Sequence, residues 1–335
     1  MVSNGIHKRV LKPGVWAPSP AFMDEQEELD IPTFRKHIVH LAQQGVAPVV
    51  NGSMGEAHHL TAEERTTLVR EARNALDEAG FQDVVVIAGT STIELSKLAA
   101  DAGADIAIVI PPGYFAGAMS KEALKQFFAD VAEGSPIPVM IYNYPGATGG
   151  IDLDSDTIIE IAQENPNICG VKLTCGAVGK LTRITAATAT DAFAKYPRAH
   201  PDVAPDFLTL GGFADFLLPT IGGGRAHGAI MGLSNVYPAA ISELFRLSHK
   251  LATDEQPSKA DLNKALALQD QCAGADAAFV KPGIAGTKAW LKKHDGYPSA
   301  RVRRPLLDCT PEALEKVEAI PVVQEFYKTE KSLAK

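Results

Sequence analysis

The chain has little cysteine: four residues in 335 (Cys169, Cys175, Cys272 and Cys309), with no C-x-x-C pair and no zinc-ligand spacing. That excludes a disulfide-stapled scaffold and the common structural zinc sites, and reduced thiols fit a cytoplasmic protein. No apolar run approaches the roughly 20 residues of a membrane span, so no membrane partner is expected. Basic charge is also short, 32 Lys plus Arg against 40 Asp plus Glu for a net −8. A nucleic-acid partner is therefore not expected, because phosphate backbones are bound through basic footprints. The same net charge repels small anions at long range, so any anion site must be built locally. Residues 1–12 hold no signal-peptide core, although His7, Lys8 and Arg9, with no acid among them, leave a transit segment open. No Asp/Glu/His set has metal-site spacing, and the adjacent His58 and His59 point different ways on any regular element. Neither a metal nor another cofactor is expected.

What is present is one rhythm: a short β-rich apolar run followed by a longer amphipathic stretch. The runs fall at 14–18, 47–52, 84–90, 106–112, 139–145, 169–173, 207–212 and 228–232. Near-continuous runs such as VVVIAGT and IAIVIPP suit strands buried on both faces, as in a parallel sheet. Between them, 30–44 places Phe34, Ile38 and Leu41 on one helical stripe. Residues 61–79 open with Thr61 and carry Glu64 three positions on, a capping box, and Ser120 opens 120–133 less completely. An open dinucleotide-binding sheet would want G-x-G-x-x-G after its first strand, and none is there. Eight β-then-α units instead predict an α/β fold, a (β/α)8 TIM barrel over 14–252 preceded by an arm at 1–13. Helical patterns at 238–252, 258–277, 283–294 and 311–318 exceed what the eighth unit needs. The surplus, 253–335, is expected as a helical C-terminal extension packed on the barrel. A Thr/Ala-rich helix and then YPRAHPDVAP make 179–205 an extended connection whose prolines break any helix.

Barrel enzymes place their chemistry at the C-terminal ends of the strands. Those ends carry Asn51-Gly52-Ser53-Met54-Gly55-Glu56, Pro111-Pro112-Gly113-Tyr114, Tyr142-Asn143-Tyr144-Pro145, Lys172 within GVKLT, and Gly211-Gly212. A lysine inside an apolar strand has two readings. Either it snorkels or pairs with a carboxylate, or burial strips its proton and leaves an amine nucleophile. Tyr142, one strand away, either packs its ring on the rim or holds a proton near that amine. The glycine-flanked Ser53 turn is either a plain capped turn or a nest of N–H groups for a carboxylate.

Together these motifs resemble the pyruvate-dependent class I aldolases of the dihydrodipicolinate synthase and N-acetylneuraminate lyase superfamily, over about 14–305. Gly52-Ser53-Met54-Gly55-Glu56 stands where the family has G-T/S-x-G-E, Tyr142-Asn143-Tyr144-Pro145 for Y-N-x-P, and Gly170-Val171-Lys172 for G-x-K. Gly228-Ala229-Ile230, with Asn235-Val236 beyond, is similar to the family's eighth strand. The resemblance implies that Lys172 forms an imine with a 2-oxo acid, that Tyr142 shuttles protons, and that Ser53 relays them. It implies that Tyr114 reaches in from a neighbouring subunit of a homotetramer built as a dimer of dimers. Backbone N–H groups of Ser53 and Met54 would hold the substrate carboxylate, with Gly212 and Ile230 lining the pocket. Met54 replaces a second hydroxyl residue common in the turn. Ala147 stands where the synthases place an arginine, which argues against lysine biosynthesis and leaves room for a neutral aldehyde. The GVKLTCG and YNYPGA segments and the extension are most similar to fungal sugar-acid aldolases, which cleave 2-keto-3-deoxy-L-galactonate (L-threo-3-deoxy-hexulosonate) to pyruvate and L-glyceraldehyde. A 4-hydroxy-2-oxoglutarate aldolase is the alternative, and it would favour a cation near position 147. A dehydratase using the same imine, or a non-catalytic barrel that binds a 2-oxo acid, are the readings of other classes.

Overall fold

The computed structural model describes residues 9–334. The arm's first eight residues, and with them the open question of a transit segment, lie outside the described residues. Eight parallel strands close into a barrel in sequence order: β1 (Gly14–Pro18), β2 (Ala47–Val50), β3 (Ile87–Thr90), β4 (Ile106–Val109), β5 (Val139–Asn143), β6 (Ile168–Leu173), β7 (Leu208–Gly211) and β8 (Gly228–Ile230). This is the expected TIM barrel. Several strands are shorter than the apolar runs that announced them. β4 stops at Val109 because Pro111 and Pro112 have no N–H to give the ladder. β3 begins only at Ile87, and the Val86 N–H goes instead to the Asp105 carboxylate at 2.8 Å.

Alternation along each strand divides the barrel into two packings. Trp16, Val49, Ile87, Ile108, Met140, Leu208, Leu210 and Ile230 fill the interior. Val15, Ala17, Val109, Ile141, Val171 and Leu173 face the surrounding helices. The seam closes where Gly14 and Leu210 both pair with Gly228. Gly228 has φ +143°, and a Cβ there would lie 1.7 Å from the Gly14 carbonyl oxygen. Only glycine fits that closure. The floor is laid by the arm and the connection between β6 and β7: Leu11 N–H bonds to Val203 O at 2.7 Å, and Leu11 and Ala204 join the interior cluster. Arg198 fastens the connection to the Ile168 carbonyl at 2.8 Å and lies 5.1 Å from the Phe193 ring. The 179–205 segment thus has a structural task.

The expected helices form with their expected caps. Thr61 and Glu64 make both bonds of the capping box on Ala62–Glu78, and Ser120 caps Lys121–Gly134. After the barrel's last helix, Pro238–Thr253, come Lys259–Val280, Gly283–Asp295, Pro311–Glu318 and Pro321–Leu333. The last was not anticipated. Its buried stripe is Val323, Phe326 and Glu330, so an acid interrupts the apolar pattern. Glu330 accepts N–H bonds from Ala239 and Ala240, at 3.1 and 2.7 Å, at the open N-terminal turn of Pro238–Thr253.

Burial pushes the Glu330 carboxyl from 4.5 to about 7. A raised acid binds its proton more tightly in the fold than in the unfolded chain. Its contribution is therefore full below pH 4.5 and is lost as pH rises through about 7. Hydrogen exchange should show residues 321–333 less protected at pH 8 than at pH 5, after correction for intrinsic rates. Glu330→Gln should remove most of that difference, which corresponds to a change on the order of 3 kcal/mol.

Candidate active site

Residues two apart on a strand share a face, so β5 and β6 deliver their chemistry in pairs. Lys172 is register partner to Tyr142 on β5 and to Leu210 on β7. It points inward, is 5% exposed, and holds its Nζ 4.1 Å from the centroid of the Tyr142 ring. Among the described residues it has neither an ion-pair partner nor a hydrogen-bond partner, so it is neither snorkelling nor neutralised by an acid. One step further along each strand stand Tyr144 and Thr174. The Tyr144 ring stacks on Tyr142 at 5.6 Å, and Thr174 Oγ1 is buried without a partner. All four line a cavity of about 300 Å³ at the C-terminal mouth of the barrel. Burial and the nearby Tyr142 raise the Tyr144 phenol above its ordinary value.

The turn after β2 forms the opposite wall. Its Gly55 and Glu56 N–H groups bond back to Gly52 O and Ser53 O, at 3.0 and 3.1 Å. The Ser53 and Met54 N–H groups bond to none of the described residues. The turn is held from below by Glu56, which takes a left-handed φ of 53° and is buried. Its carboxylate receives Lys288 Nζ at 2.5 Å and the Arg303 N–H at 2.7 Å. Lys288 also donates to the Arg301 carbonyl at 2.8 Å. Burial pulls the Lys288 ammonium below the usual lysine value, and Glu56 opposes the shift. Arg65, from the following helix, lines the cavity beside the turn and donates to the Ala57 carbonyl.

The loop after β7 is set by another C-terminal helix. Gln269 accepts the Leu218 N–H at 2.7 Å and donates to Ala214 O and Asp215 O, each at 3.0 Å. Asp276, on the same helix, accepts the N–H groups of Ala214 and Asp215 through Oδ2 and lines the cavity. Behind β5, the Asn143 amide donates to Asp152 at 2.7 Å and accepts the Leu153 N–H at 3.0 Å, fixing the loop that follows Tyr144.

A family model described as the dihydrodipicolinate synthetase family matches residues 13–323. The chain belongs to that family. Its members are class I pyruvate-dependent aldolases. The chain is 41% identical to an L-threo-3-deoxy-hexylosonate aldolase of Aspergillus niger, over 96% of this chain and 97% of that protein. It is also 41% identical to an Emericella nidulans protein named "Probable 4-hydroxy-2-oxoglutarate aldolase, mitochondrial", over 93% and 94% of the two chains. Among solved structures, a family protein from Coccidioides immitis superposes with a TM-score of 0.80 at 32% identity, covering 97% and 99%. A prophage protein of the family from E. coli K12, solved in complex with pyruvate, does so with 0.78 at 26%, covering 95% and 99%.

Within the family barrel, Lys172, Tyr142, Ser53, Met54, Gly212 and Ile230 all line the one cavity. Gly212 is needed there, since a Cβ would fall 2.3 Å from Thr174 Oγ1 and 2.6 Å from Thr174 Cα. Tyr114 does not join them: it is 92% exposed, its ring against Phe115 at 4.9 Å. Ala147 is exposed on the turn after β5 and contributes nothing to the cavity wall. Sequence reasoning passed over Tyr144 and Thr174, which the two-residue strand period from Tyr142 and Lys172 could have found. Asp276, Arg65 and Lys288 carry no comparable local signal. His58, which the spacing argument set aside as a metal ligand, stands exposed on the cavity rim.

Removing one partner of a buried ion pair strands the other. Lys288→Met should lower stability by about 3–5 kcal/mol in urea unfolding. The Glu56→Gln/Lys288→Met double variant should lose clearly less than the two single losses combined.

Proposed function

We propose that this family member is a retro-aldolase for a 2-keto-3-deoxy sugar acid, 2-keto-3-deoxy-L-galactonate, releasing pyruvate and L-glyceraldehyde. The observation that carries the chemistry is a buried amine with no acid partner among the described residues, beside a tyrosine, in the mouth of a parallel barrel. The near-full-length likeness to a fungal L-threo-3-deoxy-hexylosonate aldolase supports the substrate. The exposed, arginine-free Ala147 is in keeping with a neutral aldehyde.

In this reading Lys172 Nζ attacks C2 of the 2-oxo acid, and the Tyr142 hydroxyl gives its proton to the departing oxygen, so that water leaves and an iminium remains. The phenolate then takes the proton of the C4 hydroxyl. The C3–C4 bond breaks, its electron pair moves into the enamine, and the aldehyde departs. Protonation at C3 and hydrolysis return pyruvate and the free amine. In this reading Ser53 serves as the relay hydroxyl for Tyr142, and the stacked Tyr144 is placed to steady the ring. The unbonded N–H groups of Ser53 and Met54 hold the C1 carboxylate, with Arg65 alongside, while Gly212 and Ile230 border the bound acid. Tyr114, with its ring in solvent, acts in a neighbouring copy, and the assembly is a homotetramer. The cytoplasm is the compartment in this reading, in keeping with four cysteines that are all free thiols.

The second reading is 4-hydroxy-2-oxoglutarate cleavage, favoured by the Emericella nidulans relative at the same identity. Product analysis separates the two, glyceraldehyde against glyoxylate.

Incubation with pyruvate and sodium borohydride should add one reduced pyruvate to the chain, mapped to the Lys172 peptide. Lys172→Ala should abolish both adduct and turnover. Tyr142→Phe should lower kcat by about 10²- to 10⁴-fold, the usual worth of a positioned acid–base group. A folded protein that forms no adduct would remove Lys172 as nucleophile and leave a binding protein.

A further inference from the structure

The cavity wall carries one acid that the mechanism above does not use. Asp276 belongs to the helix Lys259–Val280, is 7% exposed, and faces the same cavity as Lys172. Its Oδ2 takes the N–H groups of Ala214 and Asp215, at 2.8 and 3.1 Å. Its Oδ1 takes no hydrogen bond from the described residues, and no described cation forms an ion pair with it. Burial and the neighbouring Asp215 push its carboxyl up to about 6. Holding the loop after β7 does not call for a charge. Gln269 does the same work two turns earlier with a neutral amide, binding Leu218 N–H, Ala214 O and Asp215 O. An asparagine would accept both N–H groups equally well. A buried acid without a cation costs stability, and a free acceptor oxygen at a cavity wall is available to a ligand.

The cavity is also polarised. The turn after β2 brings the unbonded Ser53 and Met54 N–H groups, with Arg65 and His58 beside them. At the loop after β7 the helix Lys259–Val280 brings Asp276, with Asp215 next to it. An anion is drawn to the first end and opposed at the second. A carboxylate accepts hydrogen bonds from hydroxyl groups and repels another carboxylate. We propose that Asp276 is the specificity-determining residue for the aldehyde half of the substrate, its free Oδ1 accepting hydroxyl groups of a polyol tail and its charge excluding a dicarboxylic 2-oxo acid. This rests on the imine reading of Lys172 and decides between the two aldehydes.

The test is cleavage of 2-keto-3-deoxy-L-galactonate and of 4-hydroxy-2-oxoglutarate by the wild-type enzyme and by Asp276→Asn, with borohydride trapping of pyruvate on both proteins. The variant should lose about ten- to a hundredfold in kcat/KM on the sugar acid, the worth of a charge-assisted hydrogen bond, and gain on the dicarboxylate, whose repulsion is relieved. A loss under about threefold on the sugar acid, or an equal loss on both substrates, overturns the proposal. If the variant does not fold, the wild-type enzyme answers alone, by condensing pyruvate with glyceraldehyde, propionaldehyde or glyoxylate. Glyceraldehyde should exceed each of the others by about tenfold or more in kcat/KM, since the tail hydroxyls supply the difference. Equal use of propionaldehyde, or a preference for glyoxylate, overturns it. Wild-type protein that traps no pyruvate defeats the imine reading itself, whereas trapping without discrimination among aldehydes defeats only the role of Asp276.

Discussion

In a closed barrel of eight parallel strands, every second side chain of every strand is committed to a narrow interior from which there is no retreat to solvent. The lower interior is filled by Ile87, Ile106, Met140, Leu208 and their neighbours, sealed by Leu11 and Ala204. Only the upper layer can hold anything polar. Lys172 occupies that layer, and Gly170, two residues earlier on the same face, leaves no side chain beneath it: a Cβ there would lie 2.5 Å from the Leu208 carbonyl oxygen. The register that sets Lys172 beside Tyr142 is the same one that closes the ladder from β5 to β7. Slipping either strand by one residue would send the amine to the helices and a valine or leucine to the cavity. The position of the amine is thus a consequence of barrel closure.

The loops at the mouth have no such enforcement, and the C-terminal helices supply it. Glu56 and Lys288 are both almost wholly removed from water, so their attraction must offset the desolvation of two charges. They manage this because each has further partners, the Arg303 N–H for the acid and the Arg301 carbonyl for the amine. The result is a turn whose left-handed Glu56 cannot relax without burying an unpaired charge. Gln269 and Asp276 perform the corresponding service for the loop after β7. The helical extension is therefore part of the site's construction: it holds two opposite walls of the cavity at a fixed separation.

This division explains what could be read from the chain and what could not. Eight apolar runs and the Thr61–Glu64 capping box are local signals, and each reappears as a strand or a cap. Lys172 and Tyr142 were legible because a polar residue inside an apolar strand is conspicuous, and their family motifs are short and contiguous. Strand ends were read too long where Pro111 and Pro112 interrupt the ladder. The helix Pro321–Leu333 was invisible because Glu330 occupies a core position, and its partners are the distant N–H groups of Ala239 and Ala240. Glu56 and Lys288 are 232 residues apart, and Ala214 and Asp276 are 62 apart. Pairs so remote leave no periodicity, cap or spacing to notice, so half of the candidate site's wall came only from the folded chain.

The net charge of −8 is the final constraint. A protein that repels anions at a distance has to gather an anionic ligand at close range, and in the proposed reading it does so with dipoles more than with charge. The Ser53 and Met54 amides cost no desolvation of a cation and stay aimed because Glu56 fixes the backbone beneath them. Among the described residues Arg65 is the one permanent cation on the cavity wall beside them, half-buried with its Nε unpartnered. Leaving Lys172 unpaired follows the same logic. In the proposed mechanism an acid close enough to pair with it would repel the incoming 2-oxo acid at the reacting amine. The nearest acid on the cavity wall, Asp276, is instead tethered to the loop after β7 by two N–H groups. On the proposed reading, this geometry keeps negative charge for the far end of the substrate and leaves the reacting end to an amine, a phenol and backbone donors.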